Sequence, residues 1–193
     1  QTFVVQQTLY EKEMASSTVL RTYAAYYGDR VQIKTPASYL CGSKCDRGRE
    51  LVLQLRTQSL PLASLTGKFG RRSRDNPADG VHFCCPVCTS APESIPHFLL
   101  ECPSYAALRC ELMQQLQTRA ASSFDAWNAV HDVEKKAFSL LDDATWGRGS
   151  TLVGAVVAPF VYKIWQQRLC ALRATADEGA TPRREADGSD AMA

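Results

Sequence analysis

The sequence lacks any apolar run long enough to cross a membrane. Its most apolar stretch, from Thr151 to Tyr162, contains Pro159 and is shorter than the ~18 consecutive apolar residues that a spanning helix requires. We also expect no secretory signal peptide, and the formal net charge of +2 indicates no class of partner by itself. We therefore expect no membrane partner and a reducing, intracellular compartment, in which cysteines stay free thiols. Because the chain starts at Gln1, we also expect a piece of a longer protein.

Catalytic motifs are equally scarce. Gly67-Lys68 invites comparison with a phosphate-binding P-loop, but the first glycine of that motif is missing and Phe69 follows the lysine. Asp142 and Asp143 lack the aromatic lead of a polymerase metal motif and stand at the end of a helical pattern, so we interpret both carboxylates as solvated. Without a polymerase, endonuclease or ribonuclease motif, the chain is predicted not to be an enzyme.

Cysteine is abundant, and four of the cysteine and histidine residues have the spacing of metal ligands. The spacing is C-x2-C-x8-H-x4-C, formed by Cys85, Cys88, His97 and Cys102. Three thiols and one imidazole are the donor set of a closed tetrahedral zinc site. Two cysteines separated by two residues can direct both sulfurs inward from one tight turn, and Pro86 fixes a backbone angle in that turn. The sequence therefore predicts bound Zn²⁺ rather than a disulfide framework.

Two prolines shape the second half of this motif. Pro96 suits the first turn of a short helix, from which His97 would project. Cys102 follows five residues later, where a regular helix would rotate it away from His97. Since Pro103 pushes the preceding residue out of the helical region, we expect the helix to unwind at Cys102. Its sulfur can then return towards the imidazole.

Other cysteines leave alternatives open. Cys84 can replace Cys85 in a hairpin with three intervening residues, and His82 is within reach. We prefer Cys85 because its turn makes the tighter chelate. Cys41 and Cys45 form a further pair, but they lack a free second pair to complete a site, so we interpret them as non-metal residues.

Positive charge is concentrated immediately before the metal motif. Between Lys44 and Arg74 there are eight basic and two acidic residues, a net of +6, which leaves −4 for the rest of the chain. Such a segment can neutralise nucleic-acid phosphates, and an aromatic side chain within it can stack on a base. The competing interpretation is a solvated run of charge. We predict contacts with nucleic acid at Arg49 and Arg56 and at a basic arm formed by Lys68, Phe69, Arg71, Arg72 and Arg74.

The remaining sequence predicts a mainly α fold. Apolar residues recur at helical intervals in residues 2–27, 47–58, 103–120, 123–141 and 151–173. We predict a helical domain with a small CCHC zinc knuckle between helices and a disordered C-terminal tail. The predicted parts are an N-terminal helix and loop (1–43), a basic helix with the arm and zinc module (44–120), C-terminal helices (121–174) and the tail (175–193).

Three details of the helices can be checked directly. Ser123 is predicted to be the N-cap of the helix that follows it. Pro159 is predicted to kink the last helix. On that same helix, Lys163 and Arg168 are predicted to face solvent together with Gln166 and Gln167.

A longer pattern surrounds the four predicted ligands. It consists of Cys85-Pro-Val-Cys88, then Glu93-Ser-Ile-Pro-His97-Phe-Leu-Leu-Glu-Cys102-Pro-Ser-Tyr105 with Arg109 beyond, preceded by Leu53-Gln-Leu-Arg-Thr-Gln-Ser-Leu60 and Thr66-Gly-Lys-Phe69. This pattern resembles the zinc-binding segment near the C-terminus of non-LTR (LINE-type) retrotransposon reverse transcriptases, over roughly residues 49 to 110. The chain departs from the family at two glycines, which are replaced by Thr89 and Gln58.

The resemblance implies a partner and a parent protein. The chain would be the C-terminal part of a polyprotein whose polymerase is RNA-directed, and it would help to hold element RNA or target DNA near that polymerase. Its partners would be nucleic acid and the rest of the polyprotein, in a location that includes the nucleus.

Two further interpretations compete with a zinc-stabilised nucleic-acid-binding module. One is a structural or protein-interaction zinc module that makes no direct contact with nucleic acid. The other is a metalloenzyme, for which Glu101 is the only nearby acid that we consider. Four ligands at closed-site spacing leave no coordination position for a reacting water, which argues against the enzyme.

Overall fold

The computed structural model describes residues 21–27, 47–66, 83–147 and 150–178. Within these ranges 75% of the residues are helical and none belongs to a β-strand. The predicted mainly α fold with a Cys/His knuckle between helices is therefore confirmed. The predictions for residues 1–20, 28–46, 67–82 and 179–193 lie outside the described residues, and so do Cys41, Cys45 and His82.

The described residues form α-helices and, before two of them, single turns of other helix types. The α-helices are α1 (Arg21–Tyr27), α2 (Arg47–Arg56), α3 (Ala63–Thr66), α4 (Ala106–Arg119), α5 (Ala121–Asn128), α6 (Val133–Leu140) and α7 (Ala158–Glu178). Turns of 3₁₀-helix occur at Pro103–Tyr105 and Asp143–Trp146, and π turns at His97–Glu101 and Val153–Val157. The predicted metal ligands lie between α3 and α4.

Helices α2 and α7 form the centre of the packing. Leu51, Val52 and Leu55 on α2 are fully buried, as their helical spacing predicts. The two helices approach closely at Gly48, where an added Cβ would lie 2.5 Å from the carbonyl oxygen of Ala158. A larger side chain at Gly48 would therefore require α7 to move.

The last helix buries one face and begins irregularly. Val161 and Ile164 on α7 are fully buried, and Pro159 lies in its first turn, immediately after a π turn. Proline cannot donate a backbone N–H, and its ring crowds the preceding turn. The π turn stands where the sequence predicts a kink, and it widens the backbone at this point. No helix among the described residues is long and apolar enough to span a membrane.

The helix predicted to start at Ser123 is two helices, α5 and α6, and the prediction of Ser123 as its N-cap is wrong. Helix α5 starts two residues earlier without a side-chain cap. Helix α6 has Asp132 as its N-cap, and the Asp132 carboxylate accepts a hydrogen bond from the backbone N–H of Lys135 at 3.0 Å. Such a cap favours the start of a new helix. The apolar spacing from Phe124 to Leu141 continues across the break and conceals it.

The prediction that both Asp142 and Asp143 are solvated is wrong for Asp142. Only 7% of Asp142 is exposed. Its carboxylate accepts a hydrogen bond from the backbone N–H of Ala144 at 3.2 Å and caps the 3₁₀ turn that follows. The carboxylate of Asp142 therefore stabilises the backbone of this turn.

The predicted nucleic-acid contact at Arg56 is contradicted by its burial. Arg56 is 5% exposed, and its guanidinium donates to the carbonyl of Leu141 at 3.3 Å and lies 3.9 Å from the ring centroid of Tyr27. It follows Val52 by four residues and therefore lies on the buried face of α2. Arg56 joins α1, α2 and the end of α6, and it is not exposed to a phosphate in this structure.

The prediction that Arg168 faces solvent is also wrong, because Arg168 forms a buried ion pair with Glu93. Arg168 is 6% exposed and Glu93 is fully buried. The Nε of Arg168 lies 2.5 Å from one carboxylate oxygen of Glu93, and its Nη2 lies 2.8 Å from the other. Lys163, by contrast, is exposed and pairs with Glu111 at 3.2 Å. The buried pair fixes α7 against the segment that carries the predicted metal ligands.

Helix α7 also ends later than the sequence suggests. It continues to Glu178, whereas disorder is predicted from Thr175 onward. The first four residues of the predicted tail are therefore helical, and the rest lies outside the described part of the chain.

Breaking the buried ion pair is expected to destabilise the protein strongly. Glu93→Leu and Arg168→Met should each lower the free energy of unfolding by about 3–5 kcal/mol, because each leaves an uncompensated buried charge. The double variant should be more stable than either single variant, since it buries no charge. Urea denaturation of the three variants measures these differences.

The exposed pair on the same helix provides a matched control. Lys163→Met should cost at most about 1 kcal/mol, because an exposed ion pair is screened by water. A loss of stability at Glu93 or Arg168 that is no larger than the loss at Lys163 would contradict the role of the buried pair.

Candidate metal centre

A short hairpin positions the two cysteines of the C-x2-C turn. The backbone N–H of Cys85 donates to the carbonyl of Ala91 at 2.8 Å, and the N–H of Glu93 donates to the carbonyl of Phe83 at 2.7 Å. The two segments therefore pair in an antiparallel manner. The N–H of Thr89 donates back to the carbonyl of Cys85 at 2.8 Å and closes the turn between them.

The hairpin separates Cys85 from Cys84. Cys85 is fully buried, whereas Cys84 is half-buried and forms the isolated bridge to Pro92. Successive residues of an extended segment point to opposite sides, so only one of the two can face the other ligands. The ligand cluster contains Cys85 and does not contain Cys84.

A π turn brings the last two ligands together. His97 begins this turn, and the backbone N–H of Cys102 donates to the carbonyl of His97 at 2.8 Å. A five-residue step of this kind makes slightly more than one wide turn, which returns Cys102 to the side of His97. Cys102 itself has φ −55° and ψ 119°, outside the helical region, as expected before Pro103. The unwinding at Cys102 follows the prediction, but the π turn was not foreseen.

The four predicted ligands converge on one centre. Their ligand atoms all lie within 4.8 Å of one another, and Cys85, His97 and Cys102 are buried. The sulfurs of Cys85 and Cys102 are 3.9 Å apart, and the sulfur of Cys88 is 3.3 Å from Nε2 of His97. A tetrahedral ion with about 2.0–2.3 Å bonds to sulfur and nitrogen holds its ligands roughly 3.5–3.8 Å apart. The cluster therefore has the size of a metal site.

The three thiols have different acidities. Burial raises the pKa of the Cys85 thiol to about 12 and also raises the pKa of the Cys102 thiol. Burial acts in the same direction on Cys88, but hydrogen bonds from Ser90 and His97 outweigh it and lower the pKa of Cys88 to about 6. A metal that binds here must displace the protons of Cys85 and Cys102.

Backbone N–H groups near the sulfurs favour the negatively charged thiolate form of the cysteines. Nearby backbone N–H groups lower the pKa of each thiol: those of Cys88 and Val87 act on Cys85, that of Ser90 acts on Cys88, and that of Ser104 acts on Cys102. Ser90 adds a side-chain bond, in which its hydroxyl donates to the Cys88 sulfur at 3.2 Å. Donors aimed at the sulfurs favour the thiolate form that a metal requires.

Chemically, this arrangement is suited to holding an ion. Four protein ligands fill a tetrahedron, so no position is left for a reacting water. Glu101, the acid considered for catalysis, is exposed and is not in the cluster. A closed, sulfur-rich ligand set of this kind is typical of structural metal sites.

Two of the seven predicted nucleic-acid residues lie in the described part of the chain. Arg49 is half-buried on α2, and Arg56 is buried against Tyr27. The basic arm lies outside the described residues.

Glu93 is the residue near the site that sequence reasoning missed. Besides Arg168, its carboxylate accepts a hydrogen bond from the backbone N–H of Ala63 at 2.7 Å, and its carbonyl accepts one from the Ser64 hydroxyl at 2.6 Å. The sequence feature that could have indicated a buried partner is on α7, where Arg168 continues the apolar stripe that includes Val161. An arginine on such a stripe is rarely buried without a partner, and a buried acid is one such partner.

Two residues near the site have left-handed backbone angles. Thr89 has φ 55° and Gln58 has φ 54°, a region that glycine adopts without strain and a β-branched residue adopts rarely. Gln58 ends α2 in a Schellman motif, with its N–H bonded to Leu55 and the N–H of Ser59 bonded to Gln54. These are the two positions at which the resembling family has glycine.

Comparison with protein-family models, with curated proteins and with solved structures found no match for this chain. The resemblance to retrotransposon reverse transcriptases therefore depends on the motif residues alone, and the family remains a prediction.

Removing single ligands tests the cluster. Cys88→Ala and His97→Ala should each abolish stoichiometric zinc, because three remaining ligands cannot close the tetrahedron. Elemental analysis of the purified variants measures the metal content. Cys84→Ala is the matched control and should retain one equivalent, and a full equivalent in Cys88→Ala would show that the ligands are misassigned.

Relieving the strained turn should stabilise the protein. Thr89→Gly is expected to raise the free energy of unfolding by about 1 kcal/mol, because glycine adopts the positive φ without a steric penalty. Thr89→Ala keeps most of that penalty and serves as the control. Urea denaturation of the metal-loaded variants measures the difference, and equal stability of the two variants would argue against strain at Thr89.

Proposed function

We propose that this chain is a zinc-stabilised nucleic-acid-binding module. The observation that carries the proposal is the convergence of Cys85, Cys88, His97 and Cys102 on a single centre. Tetrahedral sites with mainly thiolate ligands favour Zn²⁺ or iron–sulfur clusters, and a closed site with one histidine is a usual form of structural zinc.

The energy of such a site explains why a short hairpin can be ordered. Structural zinc contributes an apparent 10–16 kcal/mol, approximately, in small modules, which is comparable with the ~5–15 kcal/mol net stability of a whole domain. Residues 83–102 contain no α-helix longer than one turn. In this proposal the metal therefore stabilises residues 83–102.

The described residues on both sides of the segment that contains the basic arm are bonded to this hairpin. On the N-terminal side, the backbone N–H and the hydroxyl of Ser64 donate to the carbonyl of Glu93. On the C-terminal side, the N–H of Glu93 donates to the carbonyl of Phe83. The chain that carries the arm thus leaves and returns beside the metal centre, which supports a joint role for the arm and the zinc site in binding a phosphate backbone.

The motif resemblance supports the larger role. In this proposal the chain is the C-terminal part of a retrotransposon reverse transcriptase polyprotein and helps to hold element RNA or target DNA. It works inside the cell, including in the nucleus. The chemistry belongs to the polymerase of the parent protein, and this chain contributes binding.

The alternative is a protein-interaction module pinned by zinc. Leu53 on α2 and Leu172 on α7 are each 38% exposed, and exposed apolar side chains can dock against another protein where they form a contiguous patch. Docking through apolar contacts is much less sensitive to salt than phosphate binding.

Salt dependence distinguishes the two functions. Replacing Arg71, Arg72 and Arg74 together by glutamine should weaken binding to single- and double-stranded oligonucleotides. It should also flatten the slope of log affinity against log salt by roughly 2–3, since each lost phosphate contact removes about 0.7–0.9. Fluorescence anisotropy over a range of salt concentrations measures the slope.

The control is a pair of basic residues distant in sequence from the arm. Arg119→Gln with Arg173→Gln removes two exposed charges on α4 and α7 and should leave the slope nearly unchanged. If the triple variant has the wild-type slope, the basic arm does not bind phosphates, and the protein-interaction function is favoured.

A further inference from the structure

Arg109 contacts a metal ligand directly. Its Nη1 donates a hydrogen bond to the carbonyl oxygen of Cys102 at 2.5 Å. The same carbonyl accepts a second bond from the backbone N–H of Tyr105 at 3.2 Å. Two donors on one oxygen fix the peptide that follows Cys102, at the point where the backbone leaves the helical region.

The net charge of the metal-loaded site makes the contact of Arg109 with Cys102 electrostatically important. Three thiolates and a neutral imidazole around a divalent ion leave one net negative charge. The adjacent Glu101 adds another negative charge, and the positive charge of Arg168 is already paired with Glu93. Since three of the four ligands are buried, an uncompensated negative charge at this site is costly.

Arg109 is placed to balance that charge. It is half-buried on α4 and lies seven residues after Cys102. An arginine remains protonated at neutral pH even when it is half-buried. Its guanidinium therefore brings one positive charge to the edge of the metal centre.

We propose that Arg109 is a positioning residue for the metal centre, which neutralises the charge of the loaded site and orients the ligand Cys102 through its carbonyl. The inference rests on the metal-binding part of the proposed function and is independent of nucleic-acid binding. It assigns to Arg109 control over metal affinity without direct coordination.

The test compares Arg109→Met, Arg109→Lys and the wild-type chain. Zinc affinity is measured by competition with a chromophoric chelator at low ionic strength. Arg109→Met should bind zinc about tenfold or more weakly, a usual effect of removing a group that supports a ligand. Arg109→Lys should lie nearer to the wild type than to Arg109→Met, because it keeps the charge.

A spectroscopic measurement separates this role from simple packing. With Co²⁺ in place of zinc, the thiolate-to-metal charge-transfer band should shift in Arg109→Met relative to the wild type, because the charge next to a thiolate ligand has changed. Arg119→Met removes an exposed arginine from the other end of α4 and should change neither the affinity nor the spectrum.

Each outcome decides a separate point. A wild-type chain that binds no zinc would overturn the metal centre itself, and the inference with it. A wild type that binds zinc while Arg109→Met has equal affinity and an equal spectrum would overturn only the role of Arg109. If Arg109→Met does not fold, Arg109→Lys decides, because a lysine variant with zinc affinity at least tenfold below the wild type would show that charge is not the cause.

Discussion

The described structure depends most on the interactions of one buried group, the carboxylate of Glu93. It pairs with Arg168 of α7, accepts the N–H of Ala63, and belongs to the hairpin that contains the C-x2-C turn. One side chain therefore connects the start of α3, the candidate metal centre and the last helix. Since both partners of the ion pair are almost completely buried, the cost of removing them from water is offset only while this geometry is kept.

The metal centre could be predicted from the sequence because its determinants are local. The spacing of Cys85, Cys88, His97 and Cys102 and the proline after Cys102 define the ligand set and the departure from helical geometry within eighteen residues. The mainly α fold and the buried face of α2 are also local properties, because they follow from a 3.6-residue period. The π turn after Pro96 was beyond reach, because its sequence does not distinguish it from an ordinary helical turn.

The wrong predictions share one physical cause. Arg56, Arg168 and Asp142 were expected in solvent because charged residues usually are. Each is buried because it has a specific partner: the ring of Tyr27, the carboxylate of Glu93 and the N–H of Ala144. For both arginines the partner is distant along the chain, and no periodicity of a single segment shows which charges will meet across a fold. The break before α6 was not predicted because the apolar pattern continues across it. The new helix starts there because the Asp132 side chain caps it.

The surroundings of Trp165 give the chain an optical reporter of its own. The indole lies edge-on to Phe98, which is inside the π turn between His97 and Cys102, and the guanidinium of Arg168 is 4.9 Å from its ring. The other two tryptophans, Trp127 and Trp146, contact each other. The intrinsic fluorescence of Trp165 therefore depends on the packing of the knuckle. In a variant that retains only this tryptophan, metal binding would change the emission without any attached dye.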